Sequence, residues 1–154
     1  MLDELDKKIL NQLQDNFPLT QRPYDTIAGQ LGITADELLK RTQKLIDDGV
    51  IRRMGVSLDS RRLGYSSTLA AVRVNEGLVE TAAAVIGKYP EVTHSYQREG
   101  DFNIWFTLIA KSPEHIEAIL EQIRSELAIT AENILNLPAT NVFKIDARFN
   151  LKTS

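Results

Sequence analysis

"VTHSYQREGDFNIWFTL", residues 92–108, decides how the chain is read. It divides at Gly100 into two short runs, and along 102–110 Phe102, Ile104, Phe106, Leu108 and Ala110 alternate with Asn103, Trp105, Thr107 and Ile109. Period-two alternation marks a strand with one buried face, so 92–99 and 102–110 form a hairpin whose all-apolar set lies under a covering layer. Gly100 and Asp101 suit a type II′ turn, which wants glycine first and sets Glu99 opposite Phe102. That turn and a four-residue loop give one pairing: Arg98 faces Asn103, Tyr96 faces Trp105 and His94 faces Thr107. A three-residue loop would bury His94 and Arg98 against Phe106 and Phe102, leaving a charge without an evident partner, which is costly. The register therefore gathers His94, Tyr96, Arg98, Asn103, Trp105 and Thr107 on the face turned away from the cover.

Working outward, "STLAAVRV" (67–74) reads as a strand and "LVETAAAVIGKY" (78–89) as a helix. After the hairpin, "SPEHIEAILEQIRSEL" (112–127) is a helix capped by Ser112 with Pro113 at its first position, and "ILNLPATNVFKIDARF" (134–149) is a last extended stretch. The order βαββαβ makes a ferredoxin-like sandwich, an antiparallel sheet with both helices on one face and the other free for a partner or ligand.

The first 65 residues have another period. Leu2, Leu5, Ile9, Leu10 and Leu13 recur at helical spacing until "NFPLT" (16–20) breaks the pattern. "YDTIAGQLG" (24–32) fits a short helix ending at Gly32, and "TADE" (34–37) reads as a capping box with Thr34 as N-cap and Glu37 three residues on. Leu38, Thr42, Leu45 and Ile46 give the third helix one buried face, and Gly49 stops it. With "VIRRMGVSLDSRRLGY" (50–65) as a two-stranded ribbon, this is a winged helix-turn-helix. The fold class is thus α+β, with a winged helix-turn-helix over 1–65, a ferredoxin-like domain over 66–154 and a boundary near Tyr65 and Ser66.

Composition narrows the chemistry. A chain 43% hydrophobic and 25% charged is ordinary for a soluble globular protein. The charged, periodic start "MLDELDKKIL" is unlike a secretory signal, and no apolar run approaches a membrane span, so a cytoplasmic location is expected. Cysteine is absent, which excludes disulfides, thiolate metal sites and a cysteine nucleophile; two histidines alone do not make a typical zinc site.

The polar face of the hairpin has two compatible readings. As a subunit interface it would bury Trp105 and Tyr96 beneath a second sheet. As a pocket it would pair Arg98 with a carboxylate, give His94 a metal or a proton to handle, and stack Trp105 and Tyr96 on a flat ring. A helix-turn-helix makes DNA the default partner of the front half, because its second helix normally enters the major groove. The charges oppose this: residues 1–65 carry ten basic and ten acidic side chains, and residues 34–49 hold Lys40, Arg41 and Lys44 against Asp36, Glu37, Asp47 and Asp48. Phosphate neutralisation supplies most non-specific affinity, so DNA binding is expected to be weak or absent. Asp36 and Glu37 are explained by capping and by the helix dipole. Basic groups collect in the ribbon, where Arg52, Arg53, Arg61 and Arg62 oppose only Asp59, as a solvated wing or as ligands for phosphates or a polycarboxylate. His115, in the first turn of a surface helix, reads as merely exposed.

The architecture resembles the leucine-responsive/AsnC regulators, and within that superfamily it is most similar to the siroheme (sirohaem) decarboxylases and related heme d1 biogenesis proteins. Three segments carry the resemblance: "GVIRRMGVSLDSRRLGY" (49–65), "VTHSYQREGDFNIWFTL" (92–108) and "LNLPATNVFKIDARFNL" (135–151). It implies an enzyme subunit that removes carbon dioxide from two acetate side chains of siroheme on the route to heme, paired with a homologous paralogue subunit. The iron tetrapyrrole would be the substrate, with no separate cofactor. By match, Arg52 and Arg53 would grip carboxylates, Arg98 would hold another or orient the leaving one, and His94 would be proton donor or axial contact to the siroheme iron. Tyr96, Asn103 and Trp105 would shape the pocket. Such proteins often carry a second histidine and a tyrosine at the hairpin turn, where this chain has "EGDF" (99–102), which implies that a partner subunit supplies those groups. The alternative reading is a leucine-responsive/AsnC-type transcription regulator binding DNA and a small effector.

Overall fold

The computed structural model describes residues 2–144, 146 and 148–152. The chain packs as two units, Met1–Val56 with Lys144–Ser154, and Ser57–Phe143. Residues 57–65 thus group with the sheet and 144–154 with the helices, whereas the sequence pattern sets the boundary near Tyr65 and Ser66.

In the first unit, α1 (Glu4–Asp15), α2 (Pro23–Leu31) and α3 (Ala35–Asp47) close around Ile9, Ile27, Ala28, Leu38 and Leu45. Local chemistry fixes each end. Asp3 and Asp6 form a reciprocal capping box on α1, each side chain accepting from the other's backbone N–H. Gly32 ends α2 at φ 68°, a left-handed conformation that costs glycine little. Thr34 caps α3 through the Glu37 N–H, but Glu37 does not complete the box: its carboxylate accepts from Arg41 Nε at 3.3 Å. Leu38, Thr42 and Leu45 are buried as expected, whereas Ile46 is exposed on the rim of that face.

The expected ribbon over 50–65 is not formed; among the described residues that stretch contains no strand. Asp59 instead accepts from the N–H groups of Arg61 and Arg62, and Tyr65 N–H closes on Ser60 O at 2.9 Å, a compact turn in place of a hairpin. The last stretch is also shorter than expected. Its strand stops at Pro138, and the side-chain amides of Asn11 and Gln14 on α1 hold the backbone of Leu151 and Phe149. Ile145 and Ala147 of that stretch lie outside the described residues.

The second unit holds β1 (Ser66–Val72), α4 (Val79–Ile86), β2 (Val92–Gln97), β3 (Ile104–Ala110), α5 (Pro113–Glu126) and β4 (Ile134–Pro138). One-turn 3₁₀ segments precede α4 and β4. The sheet order is β2-β3-β1-β4 with every pair antiparallel, the ferredoxin-like arrangement. Ala70 and Val72 of β1 and Ile104, Phe106, Leu108 and Ala110 of β3 pack on Ala82, Ile86, Ile116, Ile119, Leu120 and Ile123 of the two helices. Ser112 caps α5 and Pro113 starts it. Phe102 departs from the expected set: it sits half-buried in the hairpin loop, with the Arg73 guanidinium 5.6 Å from its ring centroid.

Candidate functional site

The open face of the sheet is ordered in ranks set by the register. Tyr96, Trp105, Ala71 and Leu135 stand side by side across the four strands; the next rank is His94, Thr107, Leu69 and Leu137. On the other side of the aromatic rank, the Arg98 N–H donates to Asn103 O at 2.9 Å, closing the hairpin around the four-residue loop 99–102. His94, Tyr96, Arg98, Asn103 and Trp105 therefore belong to one hairpin face, in the pairing derived from the sequence. Arg52 and Arg53 lie on the first unit, exposed just after α3.

Each of these side chains has a definite environment. His94 and Tyr96 stack with ring centroids 6.3 Å apart and planes 17° from parallel. The Arg98 guanidinium lies 5.8 Å from the Trp105 centroid, a cation–π contact. The Trp105 indole is anchored, its Nε1–H donating to Phe102 O at 2.8 Å. Asn103 is committed to the scaffold: its Nδ2 donates to Val74 O at 2.7 Å and its Oδ1 accepts from Val74 N–H at 3.1 Å, so its amide splints the hairpin to the end of β1. Among the described residues Arg98 has no acidic partner within ion-pair distance. An exposed guanidinium over an aromatic plane is pre-oriented for an incoming anion. The half of the face on β1 and β4 is apolar, with Leu69 42% and Leu137 46% exposed.

Sequence reasoning missed two groups here. Arg73, immediately after β1, donates from Nε to Asn133 Oδ1 at 2.7 Å and stacks on Phe102, a second arginine without a carboxylate partner among the described residues. Thr93 is the other, and it is visible only once the strand irregularity beside His94 is known. His115 is a surface side chain as expected, 3.9 Å from Glu91 Oε1. Among the described residues no cluster of three or more His, Cys, Asp or Glu is built to hold a metal ion.

The cations of α3 are in a different state. Arg41 donates to Asp3 and Asp6 of the α1 capping box at 2.7 and 2.8 Å as well as to Glu37, and Lys44 pairs with Asp48. The Arg41 bond holds the Asp3 carboxyl below its ordinary pKa, and the same contacts raise that of Arg41.

Residues 62–144 match the family model of the AsnC-like ligand binding domain, and residues 6–52 match that of the siroheme decarboxylase NirDL-like HTH domain. A siroheme decarboxylase alpha subunit of Desulfovibrio desulfuricans is 41% identical over 150 residues, covering 97% of this chain and 85% of that protein. The chain belongs to the siroheme decarboxylase family. A siroheme decarboxylase NirG subunit of Stutzerimonas stutzeri is 38% identical over 148 residues, covering 96% of this chain and 99% of its own length. Among solved structures, siroheme decarboxylase NirDL in complex with an iron-uroporphyrin III analogue superposes with a TM-score of 0.68 at 36% identity, over 88% of this chain and 44% of that longer one. An AsnC family transcriptional regulator from Agrobacterium tumefaciens, at TM-score 0.77, 23% identity and 97% coverage of both chains, shares the fold alone.

Proposed function

We propose that this chain is one subunit of a siroheme decarboxylase, a carboxy-lyase that acts on siroheme itself without a separate cofactor and converts two acetate side chains to methyl groups, giving didecarboxysiroheme. The observation that carries the reading is an arginine without an acidic partner among the described residues on a flat aromatic face, Arg98 over Trp105, ranked beside Tyr96 and His94. A flat iron macrocycle rimmed with carboxylates calls for that combination: planes for its face, guanidinium forks for its rim and an imidazole for its reacting edge or its metal.

At each acetate the bond between methylene and carboxylate breaks, carbon dioxide leaves, and the electron pair stays on the methylene until a proton arrives there. His94 supplies that proton, or contacts the iron axially. Arg98 serves best on a carboxylate that does not react. The departing carboxylate loses its charge in the transition state, and a tight ion pair to it would stabilise the ground state more. Arg52 and Arg53, on the other unit, are a second cationic pair suited to carboxylates. Tyr96 and Trp105 form the stacking surface, which Asn103 shapes by fixing the hairpin beneath it.

The subunit works with a paralogue. An open sheet face with Tyr96 52% exposed beside Leu69 and Leu137 is an interface awaiting cover, and the relatives are named as subunits. Its location is the cytoplasm. DNA binding is weak or absent, because two of the three cations of α3 are already occupied by carboxylates.

The test is reconstitution with the paralogue, anaerobic incubation with siroheme, and mass spectrometry of the extracted tetrapyrrole. Stepwise loss of one and then two carbon dioxide masses is expected. Unchanged siroheme in a complex that binds it would overturn the proposal.

A further inference from the structure

β2 changes the face it presents at a single residue. Val92 pairs with Leu108 and His94 pairs with Thr107, so two steps on β2 correspond to one on β3. In a regular strand residues 92 and 94 would share a face. The extra residue, Thr93, lets Val92 pack on the helix-side core while His94 emerges with Tyr96 on the open side. Beyond the bulge the ladder continues through the Ile109 N–H to Glu91 O at 3.0 Å.

The Thr93 side chain joins this irregularity to the imidazole. Its Oγ1 lies 3.4 Å from Thr107 O, to which it donates, and 3.0 Å from His94 Nδ1. A hydroxyl has one proton, and a carbonyl oxygen can only accept. With that proton given to Thr107 O, Oγ1 can only accept from the ring, and Nδ1 must carry its hydrogen. The Tyr96 ring lies nearly parallel to the imidazole, with centroids 6.3 Å apart. Nε2 has no hydrogen-bond partner among the described residues.

We propose that Thr93 is a positioning residue for His94: its bulge turns the imidazole to the open face, and its hydroxyl holds the Nδ1–H tautomer so that Nε2 is the atom that exchanges protons or meets the macrocycle. The reaction role rests on the siroheme decarboxylase reading; the tautomer does not. In either protonation state Nδ1–H stays on Thr93, so proton transfer occurs at one defined nitrogen.

The tautomer is read directly from two-bond proton–nitrogen correlations of the full chain labelled with ¹⁵N-histidine, without any ligand. His94 and His115 are the only two histidines, and His115→Gln assigns the signals. Neutral His94 should show a protonated Nδ1 and an unprotonated Nε2. Thr93→Ser should keep that pattern, and Thr93→Val should shift the ring toward the Nε2–H form that predominates in free histidine. A parent protein with neutral His94 protonated at Nε2 overturns the assignment even if the valine variant fails to fold, and so does a folded Thr93→Val with an unchanged tautomer. In the reconstituted complex Thr93→Val should lower kcat about tenfold with KM unchanged, with Thr93→Ser restoring it. Unaltered kcat in Thr93→Val removes the positioning role. A held tautomer in a complex that neither binds nor converts siroheme supports the Thr93 assignment while contradicting the decarboxylase reading.

Discussion

Arg41 on α3 and Arg98 on the hairpin show how one residue type serves two ends. Arg41 is shared among Asp3, Asp6 and Glu37, so its donors tie α3 to the cap of α1. Arg98 has an indole plane for support and no acid in reach among the described residues. The first is consumed by the scaffold; the second is available to a ligand. The comparison extends to the two units, since two of the three cations of α3, Arg41 and Lys44, are paired with carboxylates where a DNA-reading helix would display them, and the sheet keeps a cation where a purely structural face would pair it.

The largest expected effect belongs to the sheet. His94→Ala, assayed in the complete complex, should cut turnover by roughly a hundredfold or more, with siroheme still bound. A concurrent change in the absorption spectrum of bound siroheme assigns His94 as an iron ligand, and an unchanged spectrum assigns it as proton donor. Turnover equal to the parent's would place the chemistry on the partner and end the contrast between the two units. Next is Arg98→Ala, which removes a charge-assisted contact of about 1.5 to 3 kcal/mol and should weaken siroheme binding about 10- to 150-fold by equilibrium titration. Arg41→Ala should leave that affinity alone.

Asn103→Ala sharpens the comparison from the structural side. Losing both bonds to the Val74 backbone should destabilise the sheet unit by about 1–3 kcal/mol in denaturant unfolding followed by Trp105 fluorescence. The smallest effect is in acid. Asp3 is held below 3.8 by Arg41, and Asp146 is pulled down to about 2 by Arg148, both in the first unit. Carboxyl pKa values depressed on folding add stability above their unfolded values, and this is lost as pH falls through the folded ones. Arg41→Ala should therefore make the helical signal in circular dichroism fail at higher pH on acidification, while Trp105 fluorescence keeps the parent profile.

The sheet was legible because its determinants are local and periodic. Alternation over 102–110 and the turn at Gly100 are enough to set the register of Tyr96, Trp105 and Arg98. The bulge at Thr93 was not legible, because neither Val92 nor His94 says which of them leaves the regular pleat; that depends on Val92 reaching the core under α4 and α5. Asn103 had the expected face but a structural occupation, since its amide's partners are set by the Val74 backbone, just past β1 and 29 residues away in sequence. The ribbon over 50–65 is absent for a related reason: Met54, Val56 and Leu58 alternate, but the Asp59 side chain offers the local backbone a turn in place of cross-strand pairing. Asn11 and Gln14 hold the backbone of Leu151 and Phe149, partners 140 and 135 residues away in sequence that the helical period of α1 does not disclose.

The central claim, that the sheet's Arg98 and aromatics receive a carboxylate-rimmed macrocycle while α3 has two of its three cations committed to carboxylates and is a poor match for phosphates, is tested most directly by two titrations of the same reconstituted complex. One uses siroheme, followed by its absorption; the other uses a mixed pool of genomic duplex fragments at physiological salt. The account predicts saturable siroheme binding with a changed spectrum and only weak, sequence-independent association with DNA. Nanomolar selection of one DNA sequence, with siroheme left spectrally unchanged, would contradict it.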